Sequence, residues 1–349
     1  MKLSIGIVGL PNVGKSTLFK VLTKQEVNIA NYPFATIDPN VGVVVVPDDR
    51  LEKLTKLSKS KKTIPAVVEF YDIAGLVKGA NKGEGLGNQF LSHIKETQAI
   101  VLVLRIFENP EIIHVENSVD PLRDMEIIHT ELILKDLEAV DKRLSKAEAE
   151  ARTGDKKAMQ DRDALQLIKK CLDAGDPPSG NQELFGLART NKTIKDLNLL
   201  TAKREICLLN GEEKDVSNKL KDKIRKLGGD YVVADLGKED PEAVATLIKK
   251  AYEVLGLVSF FTTGEDETRA WTIERGTKAP EAAGVIHTDF ETKFIRAEVI
   301  NSAKLLECGG PSAGSGANAW NQAKQKGQIR LEGKEYVMQD GDVVVVRHG

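Results

Sequence analysis

Gly9, Gly14, Lys15 and Ser16 fall in the pattern GxxxxGK[ST], within the run Gly9-Leu10-Pro11-Asn12-Val13-Gly14-Lys15-Ser16-Thr17. An apolar segment, Leu3–Val8, precedes the run, and a segment with helical patterning, Lys15–Leu22, follows it. Strand, glycine-rich turn and helix in that order build a phosphate cradle. The two glycines let the backbone turn tightly enough for successive N–H groups to point at phosphate oxygens. The helix N-terminus adds its dipole. Lys15 supplies a point charge for the β- and γ-phosphates, and Ser16 a hydroxyl for Mg²⁺. Residues 9–17, with Pro11, Asn12, Val13 and Thr17 among them, are therefore expected to surround the triphosphate of a nucleotide.

Such a site needs further parts. Asp72 ends the apolar run Ala66–Asp72 and begins Asp72-Ile73-Ala74-Gly75. A carboxylate there holds the hydration shell of Mg²⁺, and the Gly75 N–H reaches the γ-phosphate. Thr36, in Pro33-Phe34-Ala35-Thr36-Ile37, lies where a nucleotide-sensing loop supplies a second hydroxyl to the metal. Phosphate loop, Thr loop and DxxG in this order define the class of small GTPases. That class reads guanine with Asn-Lys-x-Asp at the end of a later strand. Here the strand ends Asn210-Gly211-Glu212-Glu213. Gly211 stands where the Lys stem would cover the base, and Glu213 where the Asp would accept from guanine. A displaced carboxylate leaves buried donors unpaired at about 1–3 kcal/mol each, so base preference is expected to shift away from GTP. The plainer reading has Glu213 capping the segment that follows. The residue after Gly75 is Leu76, which cannot orient an attacking water as a Gln does. His114, one of five histidines, is a candidate for that work, because an unperturbed imidazole titrates near pH ~6.5.

These residues sit in a chain of 349, with 50 Lys+Arg against 52 Asp+Glu and a net charge of −2. That length suggests roughly two or three domains, and the composition excludes a disordered, collagen-like or disulfide-stapled protein. Without overall positive charge, any nucleic-acid contact must come from a local patch, for which Lys219–Lys226 is a candidate against the plainer reading of a solvated helix face. Cys171, Cys207 and Cys308 form no CxxC pair, which favours a reducing compartment. No apolar run is long enough to span a membrane, and a cytoplasmic location is expected.

The elements that must position the site follow from periodicity. Strands are expected at Leu3–Val8, Val41–Val46, Ala66–Asp72, Ala99–Phe107, Glu205–Asn210 and Tyr231–Asp235, with a helix at Pro241–Leu255. Strands alternating with helices predict an α/β fold with a mostly parallel, doubly wound sheet. Asp124–Asp173 has no proline, mixed charge and helical spacing, so a helical arm is placed at 129–200. Short strands at Phe294–Val299, Gln328–Leu331 and Asp342–Arg347, with a glycine-rich loop at 309–316, predict a small α+β module. The resulting domains are 1–128 with 201–273, the arm at 129–200, and 274–349.

GLPNVGKST, NYPFATIDPN, DIAGLVKGANKGEGLGNQFL, the NGEE variant and RAWTIERGTKAPEAAGVIHTDFE at 269–291 together resemble the YchF branch of the Obg-like ATPases. The resemblance covers essentially the whole chain. It implies a P-loop NTPase that hydrolyses ATP and tolerates GTP, a coiled-coil insertion, and a C-terminal TGS domain of ubiquitin-like, β-grasp fold. It implies Mg²⁺ on Ser16 and Thr36, hydrolysis assisted by His114, and K⁺ near the phosphates through Asn12. It further implies ribosome binding, to the large subunit or 70S particle, by a monomer with a role in translation or stress. A GTP-specific enzyme and a nucleotide-independent ribosome- or RNA-binding module are the alternatives.

Overall fold

Uncharged, β-branched runs become strands buried on both faces. In the computed structural model, which describes residues 4–23, 40–72, 91, 93–238, 241–309 and 316–349, these runs build the first of two sheets. Its strands are β1 (Ser4–Val8), β2 (Val41–Val45), β4 (Val67–Asp72), β5 (Ala99–Arg105), β6 (Arg204–Asn210) and β7 (Asp230–Ala234), in the order β2-β4-β1-β5-β6-β7. All pairings are parallel except β2 with β4. Every residue of β1 and β5 is buried, whereas β2, at the edge, alternates. The chain leaves β1 toward β4 on one side and returns through β5 on the other. That reversal opens a crevice at the carboxyl ends of the strands, where open α/β sheets bind ligands.

Three helices matter most to the architecture. α1 (Lys15–Thr23) follows the phosphate loop directly. α2 (Asp49–Ser58) is capped by Asp48, which accepts from the Arg50 N–H, and ends at Lys59 in the left-handed region. α3 (Pro121–Ala151) runs for 31 residues and begins with an Asp120 cap and proline in its first turn. The helix therefore begins ahead of position 129, where the arm is expected to start. Met125, Ile128 and Leu132 of α3 still belong to the main core. Beyond them, Val140, Leu144 and Ala147 pack on Leu165, Ile168 and Leu172 of α4 (Lys156–Asp173) in a separate core. The basic stretch at 219–226 is helical, with Leu220 and Ile224 buried, and Lys221, Lys223 and Arg225 each pair with a carboxylate.

The second sheet has the order β11-β10-β12-β8-β9-β3, from β3 (Lys62–Ile64), β8 (Leu257–Thr263), β9 (Glu267–Glu274), β10 (Phe294–Asn301), β11 (Arg330–Glu332) and β12 (Asp342–His348). The boundary expected between 273 and 274 falls at the end of β9, within the span of this sheet. β8 and β9 pair with each other and β8 with β12, so this sheet begins at Leu257. β3 adds to its edge from far upstream. The partners of β8 and β3 are remote in sequence, so no local pattern announces the pairing. Phe260, Trp271, Phe294 and Val299 fill its core. Thr36, Gly75, Leu76 and most of the loop at 309–316 lie outside the described residues.

Where the chain returns from the arm, Asp136 on α3 is fully buried. It accepts from the Leu200 N–H at 2.9 Å, the Thr201 N–H at 2.8 Å and the Thr201 hydroxyl at 2.5 Å. Burial pushes its carboxyl up, and these three donors oppose the shift. Asp136→Ala strands buried donors and is expected to lower the unfolding free energy by about 3 kcal/mol in chemical denaturation; a loss under about 0.5 kcal/mol would mean that the anchor contributes nothing.

Candidate nucleotide-binding site

The turn between β1 and α1 has the shape of an anion cradle. Asn12 (φ 62°) and Gly14 (φ 110°) occupy the left-handed region, and the Leu18 N–H donates to the Gly14 carbonyl to open the helix. A Cβ on Gly14 would lie 2.5 Å from Nδ2 of Asn210, and one on Gly9 would lie 2.7 Å from the Val103 carbonyl of β5. Both positions exclude any side chain, one by backbone angle and contact, the other by contact alone.

Lys15 is buried, and its Nζ donates to the Leu10 carbonyl at 2.8 Å, which closes the loop on itself. Burial lowers its pKa to about 8, and Asp72 acts against that shift. The Asp72 carboxyl is in turn raised by its own burial and lowered by Lys15. Lys15 and Asp72 are thus electrostatic partners across the cradle. Ser16 and Thr17 are exposed and line the cleft. A hydroxyl and a carboxylate beside a phosphate loop are hard oxygen donors of the kind Mg²⁺ selects, so the residues present fit that ion.

The cleft has a volume of about 820 Å³ and runs from the phosphate loop to Asn210–Glu212, Lys214 and Asp235–Gly237, with Phe107–Asn109 and Ile112 as one wall. Asn210 is brought here, but its amide is committed to protein. Nδ2 donates to the Val13 carbonyl at 2.9 Å, and Oδ1 accepts from the Leu236 N–H at 3.2 Å. Gly211 lines the cleft as expected. Glu213 does not. It turns outward to Lys221 at 2.7 Å, and Glu212 takes the place at the wall. The reason is the short helical turn Glu213–Asp215, whose Asp215 N–H donates to the Glu212 carbonyl at 3.0 Å and which starts one residue after Glu212. Glu212 is held by Lys214 at 2.7 Å and Lys238 at 2.9 Å, and these ammonium groups bring its carboxyl down to about 2.

The loop after β5 holds the largest departure from expectation. Sequence reasoning sets His114 beside an attacking water. In the structure its ring is buried, Nε2 lies 2.8 Å from Oδ2 of Asp124, and Nδ1 accepts the Glu116 N–H at 3.2 Å. The imidazole is not part of the cleft wall. Arg105 organises this loop and escaped the sequence reading. It is 1% exposed, stacks on Phe107, and donates to the carbonyls of Phe107, Asn109 and Ile112 at 3.0–3.1 Å. A charge closing the otherwise apolar run AIVLVLR was its signal. Asn12 Nδ2 donates to the Ile113 carbonyl at 3.1 Å and so ties the phosphate loop to the residue before His114.

Comparison with known proteins agrees with this geometry. Residues 4–169 match a family model described as 50S ribosome-binding GTPase, and residues 257–349 match YchF-GTPase_C, described as a protein of unknown function. The chain is 45% identical to the Ribosome-binding ATPase YchF of Bacillus subtilis, over 99% of each chain. It is 41% identical to the protein of that name from Escherichia coli O157:H7, over 99% of this chain and 98% of the other. Among solved structures, the Schizosaccharomyces pombe YchF GTPase matches with a TM-score of 0.77 at 37% identity, over 99% of this chain and 98% of that one. From the phosphate loop to the last strand, the chain belongs to the YchF family of P-loop NTPases.

Proposed function

We propose that this protein binds Mg²⁺-ATP in the cleft above β1, hydrolyses it to ADP and phosphate, and uses the cycle to switch its hold on the ribosome. One observation carries the choice of nucleotide. Glu212 stands at the wall, neutralised by Lys214 and Lys238, while Glu213 points away. Guanine needs a free carboxylate for its N1–H and amino group, and adenine does not. The ribosome as partner, and with it the cytoplasm as the place of action, rests on the names of the relatives.

Each residue then has a part. Backbone N–H groups of residues 9–17 bind the triphosphate, and Lys15 leaves the Leu10 carbonyl to neutralise charge that develops on the phosphates. Ser16, Asp72 and, outside the described residues, Thr36 and Gly75 would complete the surroundings of Mg²⁺ and γ-phosphate. When bound there, the metal would supply charge neutralisation at the phosphates. Asn12 spends its Nδ2 on Ile113, which leaves its Oδ1 as a candidate for K⁺. His114 orients water once it has turned from Asp124.

Competition calorimetry tests the nucleotide. ATP is expected to bind at least about ten-fold more tightly than GTP, about 1.4 kcal/mol, and the opposite order would overturn this reading of Glu212 and Glu213. Lys15 gives a pH signature. A triphosphate on the cradle raises the lysine pKa above about 8. Below that pH the group is already charged. Above it, binding must take up a proton, so affinity falls as pH rises. Titrations in buffers of different ionisation enthalpy are expected to show proton uptake at pH ~9 and none at pH ~7, and Lys15→Ala removes the difference along with most of the binding. Co-sedimentation with ribosomes should depend on nucleotide; identical binding with and without ATP would instead favour a nucleotide-independent module.

A further inference from the structure

Loop 107–117 is inside out. Ile113 is 75% exposed and Ile112 and Val115 about half that, while His114 between them is 5% exposed. A loop that only bridged β5 and α3 would bury the aliphatic side chains and leave the imidazole in water. What ties the histidine to α3 is one carboxylate. Asp124 is fully buried and takes Nε2–H of His114 on Oδ2 at 2.8 Å. Because Nδ1 accepts the Glu116 N–H, the ring proton is on Nε2, and both ring nitrogens are engaged. The other oxygen, Oδ1, accepts from Arg123 Nη2 at 2.9 Å and Nε at 3.3 Å, and Arg123 is fastened to Ser118 through its hydroxyl at 2.7 Å and carbonyl at 2.6 Å. Asp124 lies in the first turn of α3, the helix that leaves the body for the arm.

We infer that Asp124 is a positioning residue that keeps His114 stowed in the Nε2–H form, so that breaking this hydrogen bond precedes hydrolysis. The inference rests on the reading of His114 given above and adds its restraint. Turning the loop outward would return the buried imidazole to water and offer Ile113 and Val115 a chance of cover, and of the two bonds to the ring only the one to Asp124 ties it to α3. Asp124 sits in the first turn of the helix that continues into the arm, so a partner that displaces this end of α3 would act on His114 without entering the nucleotide cleft.

Asp124→Ala in the full chain, with no partner added, is the decisive variant; if it does not fold, Asp124→Leu, nearly the same in shape but without an acceptor, takes its place. Two readouts are followed: ¹⁵N imidazole spectra of His114 and steady-state ATP turnover. The His114 Nε2–H signal is expected to lose its protection from exchange. Turnover is expected to rise about five-fold at unchanged KM, as removal of one charge-assisted hydrogen bond allows. The rise must vanish in the double variant with His114→Ala, because the restraint acts only through that ring. A folded variant with unchanged or lower turnover, or a rise that survives in the double variant, overturns the inference. His114→Ala alone separates the two claims. If it leaves turnover intact, the reading of His114 fails; if it abolishes turnover while the Asp124 variant is no faster, only the restraint fails.

Discussion

The side-chain amide of Asn210 fixes the geometry on which the rest of the site depends. It joins the ends of three strands: it sits on β6, donates to Val13 in the turn after β1, and accepts from Leu236 just after β7. A carboxamide is suited to this because it offers a donor and an acceptor from one rigid plane. Gly14 packs so tightly on it that a Cβ there would lie 2.5 Å away. A residue that sequence logic assigns to the base instead shapes the cradle.

Buried cations recur at loop ends, and main-chain carbonyls satisfy them. Arg105 donates to three carbonyls and Lys15 to one. Lys203 donates to the carbonyls of Lys95 and Thr97 and to Asn198, and burial lowers its pKa to about 8. A charge withdrawn from water costs several kcal/mol unless its protons find acceptors. The carbonyls of the segments flanking the strands would otherwise need partners themselves. Arg105 and Lys203 are each tied to three acceptors, whereas Lys15 has one, the Leu10 carbonyl, among the described residues.

The arm and the second sheet are joined to the nucleotide core by specific polar contacts as well as by packing. Asp136 secures the arm's return, His129 on α3 bonds to Glu205 on β6 at 2.9 Å, and Arg50 bridges Asp48 and Asp340 across the two sheets. Arg50 also lies over the ring of Phe261, 5.2 Å from its centroid. Such links make the three parts sensitive to one another, as a device that couples nucleotide state to a large partner requires.

The phosphate loop, the six strands of the first sheet and the long helix were legible in the amino-acid sequence, because each rests on short-range rules: glycines at a tight turn, unbroken apolar runs for covered strands, and mixed charge at helical spacing. Gly9, Gly14, Lys15, Ser16 and Asp72 belong to that set. Three matters were decided only when distant segments met. β8 joined β12, and β3 joined β9, because unpaired edges close on whatever strand the folded chain brings near. Glu212 replaced Glu213 at the cleft because Glu212 is the extended cap of a 3₁₀ turn whose first residue is Glu213, so the two side chains leave the backbone in different directions. His114 went inward because Asp124, on another element, offered a buried carboxylate at hydrogen-bond distance. Residue types and spacing determined what chemistry the chain is equipped for; which of those groups line the cleft and which turn away from it was a question of three-dimensional partners, and burial makes partners obligatory.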